Sequence, residues 1–270
     1  LRLEDYDVIF SDVDGVLMKE GEPIEGNLTV IRDLLNLGKR VILVTNNSGF
    51  SRVLLSRQLA SLGVKIEPRD IITSGVAAAV YLKERLRVNN AFVVGEEGLV
   101  EEIRARGIRV LSQEEIRDLV PDSVVVGLDR FCTYEKLSLA MHSVMMGAKF
   151  VVTNMDRLWP SKRGFKLGAG ALASSIIFSI KREPDFVAGK PNPWILEAAK
   201  SSLGIDGEGR MLIIGDQLEI DVQMGKQMGI DTILVLTGIT KEEEVGRSSI
   251  RPDLIVSDLR QLYDSFYSSR

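Results

Sequence analysis

The stretch Val8-Ile9-Phe10-Ser11-Asp12-Val13-Asp14-Gly15 decides the fold. Its first four residues form a short buried strand of the kind that parallel α/β sheets carry. Polar chemistry begins where the apolar run stops, at the C-terminal edge where such sheets keep their ligand crevice. Two carboxylates leave the strand with one residue between them. A turn after Asp12 that breaks the strand alternation, which Gly15 permits, lets both acids face one cavity.

Outward from that stretch, strands alternate with helices, the pattern of a mostly parallel sheet covered on both faces. Leu28, Ile31, Leu34 and Leu35 line one side of a helix that Gly38 ends, and Val41 to Val44 is the next strand. Thr45-Asn46-Asn47-Ser48 then forms a turn and cap cluster, before a helix carrying Leu55, Leu59 and Leu62 that stops at Gly63. Near the other end, Asn192 and Pro193 start a helix closed by Gly204, and Met211 to Ile214 is a strand ending in Gly215-Asp216. Ile220, Met224 and Met228 give a further helical face ended by Gly229, and Thr232 to Leu236 is one more strand. The two ends of the chain thus read as halves of one doubly wound, Rossmann-like parallel sheet, over residues 1–79 and 181–270.

Residues 80–180 repeat the alternation independently. Strands are expected at Phe92 to Val94, Val124 to Val126 and Phe150 to Thr153, with helices starting near Gly98, Tyr134 and Gly168. Polar strand ends of one chemical type precede and follow this middle stretch, so it reads as an inserted α/β domain rather than a continuation of the first sheet.

Composition narrows the function. The 270 residues hold 34 Lys plus Arg against 38 Asp plus Glu, too even a balance for a nucleic-acid or anionic-membrane partner. One cysteine, Cys132, excludes an intramolecular disulfide and argues against a cysteine-ligated zinc. No basic leader with an apolar stretch opens the sequence, and no apolar run approaches the roughly 18 residues of a bilayer span. A soluble protein of the reducing cytoplasm is expected. The first residue is Leu1 rather than methionine, so a few native residues are expected ahead of it. The single histidine, His142, falls beside the apolar face Leu137, Met141 and Val144 and reads as a surface residue, which leaves no histidine for a nucleophile triad. Nucleophilic chemistry falls to a carboxylate.

Asp12, Asp14 and Asp216 converging at one sheet edge would repel one another, by roughly 4 kcal/mol for a pair about 4 Å apart at an effective dielectric near 20. A cation among them is expected, and all-oxygen ligands suit magnesium. Lys190, on the turn Gly189-Lys190-Pro191, adds a fixed positive charge. Thr45 and the backbone N–H groups after it add neutral donors. A metal, a lysine, a hydroxyl and turn amides around one carboxylate suit a phosphoryl group in transit. Each element alone has a plain structural reading: an Asp-x-Asp-Gly turn, a strand end, a solvated lysine, a helix cap. Their common placement at strand ends or turns around one expected sheet favours the site.

At these residues the chain resembles the haloacid dehalogenase (HAD) superfamily. Four stretches carry the resemblance: Asp12-Val13-Asp14-Gly15-Val16-Leu17, Thr45-Asn46-Asn47-Ser48, Gly189-Lys190-Pro191-Asn192-Pro193 and Gly215-Asp216-Gln217-Leu218-Glu219-Ile220-Asp221. An insert between the second and third is similar to the NagD-like, or 4-nitrophenylphosphatase, branch with its large α/β cap. Thr153-Asn154-Met155-Asp156 and Gly168-Ala169-Gly170 resemble that branch too, although Met155 stands where relatives often carry proline. The resemblance implies a magnesium-dependent phosphatase acting on small phosphomonoesters. Asp12 would be the nucleophile that becomes an aspartyl phosphate, and Asp14 the acid and then the base. Magnesium would be held by the Asp12 carboxylate, the Asp14 carbonyl and Asp216, with Asp221 supporting them. Thr45 and the Asn46 amide would hold phosphoryl oxygens, and Lys190 would offset their charge. By resemblance alone, copies of the chain associate through the cap.

Two other readings stay open at this level, and a third fails on its context. The aspartyl phosphate could pass to an acceptor other than water, as in a phosphotransferase or phosphomutase. The pocket could serve a non-catalytic phospho-ligand sensor, though Asp12 and Asp14 are both intact. Gly168-Ala169-Gly170-Ala171-Leu172-Ala173 fits a dinucleotide fingerprint loosely, but Ser161 to Lys166 before it reads as a charged loop and not a strand.

Overall fold

Apolar runs become strands where their patterns place them. In the computed structural model, which describes residues 1–19, 21–161, 164–205 and 209–262, the chain forms two compact units. One comprises Leu1–Thr45, Leu55–Ile71 and the chain from Lys200; the other comprises Asn46–Leu54 and Ile72–Ala199.

The first unit is built on strands in the order Leu254–Val256, Asp231–Val235, Met211–Gly215, Val8–Ser11, Arg40–Thr45. Neighbouring strands from Leu254–Val256 to Arg40–Thr45 pair in parallel. Val8–Ser11 is buried along its whole length and stands between the next strand of the same sheet, Arg40–Thr45, and one from the far end of the chain, Met211–Gly215. The winding therefore reverses at this strand, which is where open α/β sheets place ligands. Helix Glu25–Asn36 turns Leu28, Val30, Ile31 and Leu34 inward, and each such side chain contributes about 1.5–3 kcal/mol by leaving water. It ends at Leu37, and Gly38 supplies the left-handed turn with φ +76°.

The second unit holds a five-stranded parallel sheet in the order Phe186–Val187, Lys149–Val152, Ser123–Val126, Asn90–Val94, Arg109–Val110. Helices Glu97–Ala105, Tyr134–Met145 and Ala169–Ile180 start within a residue of the expected positions. His142 lies exposed on the second of these, as its place beside the apolar face predicts.

Two expectations need correction. The expected loop before Gly168 is part of a two-stranded antiparallel ribbon, Leu158–Ser161 with Gly164–Leu167; Lys162 and Arg163 lie outside the described residues. Gly164–Leu167 is exposed throughout, and its alternation, Phe165 and Leu167 about Lys166, spans too few residues to mark a strand. The dinucleotide reading still fails, because this ribbon is not the parallel strand that a βαβ unit requires. A side chain on Gly170 would instead strike the Met155 backbone. The second correction concerns the face Ile220, Met224, Met228. Leu218–Val222 is a π-helical segment before helix Gln223–Met228, and the buried residues are Leu218, Asp221, Val222, Met224 and Gly225. The wider turn rotates the face, and it takes Asp221 inside.

No described helix is long and apolar enough to cross a membrane.

Candidate active site

Strand register gathers the acids. Ser11 pairs with Ile214 on one side and Leu43 on the other. Asp12, Asp216 and Thr45 therefore leave three adjacent strands within two residues of a common level. Asp12 remains in ladder register, its N–H donating to the Ile214 carbonyl at 2.9 Å, and its carboxylate takes the Val13 N–H at 2.7 Å. Beyond it the chain turns sharply: Gly15 has φ +85°, and its N–H reaches the Met18 carbonyl at 2.6 Å. That conformation favours glycine, and a Cβ there would also collide with the Asp216 carboxylate.

Asp216 is sealed off from solvent. The Ile239 N–H donates to its carboxylate at 2.7 Å, and the Thr240 N–H to its carbonyl at 3.2 Å. A side chain at Gly238 would occupy the space of this carboxylate, and one at Gly215 the space of Asp221. The Asp221 carboxylate accepts from Gln217 N–H at 3.2 Å. One oxygen from each of Asp12, Asp216 and Asp221 lies within 4.8 Å of the others, and all three residues are buried. This donor set is all oxygen, with no sulfur or imidazole, and fits a hard divalent cation such as magnesium.

Asp14 does not join the three. It is exposed, and its backbone bridges Met18. Thr45 is buried at the end of Arg40–Thr45. In the second unit, Asn46 and Lys190 are hydrogen-bonded to one another, with Lys190 N–H donating to the Asn46 side-chain oxygen at 2.8 Å. Lys190 is 3% exposed, so it is not a solvated turn lysine.

Sequence reasoning missed Asn27. This fully buried side chain donates to the Val16 carbonyl at 2.7 Å and accepts from the Leu259 N–H at 2.8 Å, bracing the loop after Asp14. A polar residue on the inward face of helix Glu25–Asn36 was the available signal.

Residues 9–109 match the model of the haloacid dehalogenase-like hydrolases, and residues 187–262 a second HAD-hydrolase-like model. The chain is 34% identical over 254 residues to the dihydroxyacetone phosphatase of Corynebacterium glutamicum, covering 94% of this chain and 90% of that protein. It belongs to the haloacid dehalogenase-like hydrolases. Among solved members of that family, the p-nitrophenyl phosphatase from Archaeoglobus fulgidus superposes with a TM-score of 0.87 at 32% identity, over 97% of this chain and 99% of that one. The glycerol phosphate phosphatase from Mycobacterium tuberculosis, solved in complex with magnesium, gives 0.85 at 29% identity, over 96% and 76%. The α/β architecture with a capping domain is thus that of the haloacid dehalogenase-like phosphatases.

Proposed function

We propose that this chain is a magnesium-dependent phosphatase that hydrolyses small phosphomonoesters through an aspartyl phosphate on Asp12. The observation that carries the reading is the meeting of Asp12, Asp216 and Asp221 at the carboxyl edge of one parallel sheet. The phosphatases reported above support the substrate class, and dihydroxyacetone phosphate and glycerol phosphate are the first candidates.

An Asp12 carboxylate oxygen attacks phosphorus as the bond to the leaving oxygen breaks, and Asp14 gives that oxygen its proton. Asp14 then takes a proton from water, which attacks the aspartyl phosphate and releases inorganic phosphate and the Asp12 carboxylate. One exposed acid two residues from a buried nucleophile suits both steps, because it can exchange protons with solvent between them. Asp12, the Asp14 carbonyl and Asp216 hold the metal, and Asp221 supports them. When bound, magnesium supplies positive charge against the carboxylates and the phosphoryl oxygens. Motif resemblance assigns the Thr45 hydroxyl and Asn46 N–H to those oxygens and Lys190 to their charge. The insert at 80–180 acts as the cap that excludes water and selects the leaving group. A single cysteine suits the cytoplasm as the place of reaction.

A panel of phosphorylated metabolites, with 4-nitrophenyl phosphate as reporter, tests the proposal by phosphate release. Release that requires added magnesium and stops with chelator is expected. Transfer to a second metabolite without release would replace hydrolysis by phosphotransfer, and metal-independent turnover would overturn the reading.

A further inference from the structure

The Asn46 side chain makes a set of contacts that its proposed backbone role does not use. Its oxygen accepts from Lys190 N–H at 2.8 Å, and its nitrogen donates to the Lys190 carbonyl at 3.1 Å. The same nitrogen lies 3.2 Å from each carboxylate oxygen of Asp156. A primary amide has two N–H donors, and here one serves Lys190 and the other Asp156. The reversed amide would set donor against donor at Lys190 N and oxygen against oxygen at Lys190 O and Asp156. Only one orientation satisfies all three partners.

The clamp is itself held. The Asn46 carbonyl accepts from the Ser74 hydroxyl at 2.6 Å and from the Asn154 side-chain amide at 2.7 Å. The Asn154 side-chain oxygen accepts in turn from Asp156 N–H at 3.1 Å. Ser74, Asn154 and Lys190 are all buried, so these polar groups depend on one another rather than on water. Gly189 lets the chain segments of this network approach: a Cβ there would stand 2.5 Å from the Asn46 side-chain oxygen and 2.6 Å from the Thr153 carbonyl.

We infer that the Asn46 carboxamide is a positioning residue that fixes the Lys190 main chain and the Asp156 carboxylate as one rigid group, and so sets where the Lys190 ammonium is presented. For its effect on rate, the inference rests on the phosphatase reading. Its effect on structure does not.

Exchange of donor and acceptor tests it. Asn46→Ala is expected to lower kcat by about tenfold, and Asn46→Asp by about a hundredfold, with KM changed by less than about threefold, as for misplacement of a group that acts in the transition state. Asn46→Asp sets a carboxylate against both Asp156 and the Lys190 carbonyl. Adding Asp156→Asn restores a donor facing the new acceptor, and this double variant is expected to recover about tenfold of kcat over Asn46→Asp. Melting temperatures of the parent, both single variants and the double variant, measured without substrate, are expected to show coupling between positions 46 and 156. A kcat for Asn46→Ala within about twofold of the parent, or a double variant no faster than Asn46→Asp, would overturn the positioning role even if melting shows coupling. Should the parent hydrolyse nothing in the panel, the phosphatase reading falls and the melting cycle alone decides the clamp: coupling supports it, and additivity overturns it.

Discussion

The two units use one architecture and arrange the acids at its strand ends differently. In the unit built on Ser123–Val126 and Asn90–Val94, two acids just past these strands are each paired with a cation. Glu96 holds Arg130 at 2.6 Å, and Asp129 holds Lys136 at 2.7 Å. Arg130 lies over the rings of Phe50 and Trp159 as well. In the unit built on Val8–Ser11 and Met211–Gly215, three buried acids stand within 4.8 Å of one another. A parallel sheet thus offers the same edge twice, and the arrangement of charge separates a structural edge from a chemical one.

The largest effect that could break this comparison is on turnover. Asp12→Asn is expected to reduce phosphate release by at least about 10⁴-fold, as loss of a covalent nucleophile does, with the circular dichroism spectrum unchanged. Full activity in that protein would remove the distinction between the edges. Asp129→Asn, at the other edge, is expected to act on melting temperature and leave turnover near that of the parent.

Metal addition sharpens the comparison on a smaller scale. Magnesium at about a hundred times its dissociation constant stabilises by about 2.7 kcal/mol, which raises the melting temperature of a chain this size by about 5 °C. Asp221→Asn is expected to weaken magnesium binding by about 10–100-fold, the usual cost of losing a supporting carboxylate. The rise at fixed magnesium then shrinks, and calorimetry reads it directly. An equal rise in Asp216→Asn would show that the ion binds elsewhere.

The smallest effect belongs to the matched edge. Burial pushes the Glu96 carboxyl up, but hydrogen bonds from the Arg130 side chain and backbone override it and hold the group below the ordinary carboxylate range. A depressed folded value means that the stability contributed by Glu96 is complete above its unfolded pKa of about 4.3 and is lost as pH falls through the lower folded value. Arg130→Ala should cost roughly 1 kcal/mol near neutral pH, because the pair is partly open to water. That deficit should shrink as pH falls below about 4, because a protonated Glu96 no longer gains from Arg130 in the parent. Thermal melts from pH 3 to about 7 check both parts; a deficit of the same size at every pH would show that Arg130 does not set the charge of Glu96.

Much of this was legible in the residues. Val8–Ser11, Arg40–Thr45 and Met211–Gly215 are apolar runs closed by polar residues, and burial on both faces leaves that pattern little freedom. Asp12 and Asp216 follow directly from where those runs end. Asp221 was named only through resemblance, since helical spacing puts Ile220 inward and a π-helical turn is invisible to a 3.6-residue period. The exposed ribbon strand Gly164–Leu167 offers an alternation of four residues beside charged Lys162, Arg163 and Lys166, and two-residue strands such as Arg109–Val110 are shorter than any periodic signal. The partners of Asn46 come from residues 74, 154, 156 and 190, and sequence distance hides such pairings until the chain is folded.

The glycines packed on the acidic cluster separate two kinds of tolerance. Side chains at Gly215 or Gly238 would meet folded carboxylates rather than a substrate. In a mutational scan scored by cellular yield, both positions should therefore stay depleted of every replacement, even in an Asp12→Asn background where turnover no longer exerts selection.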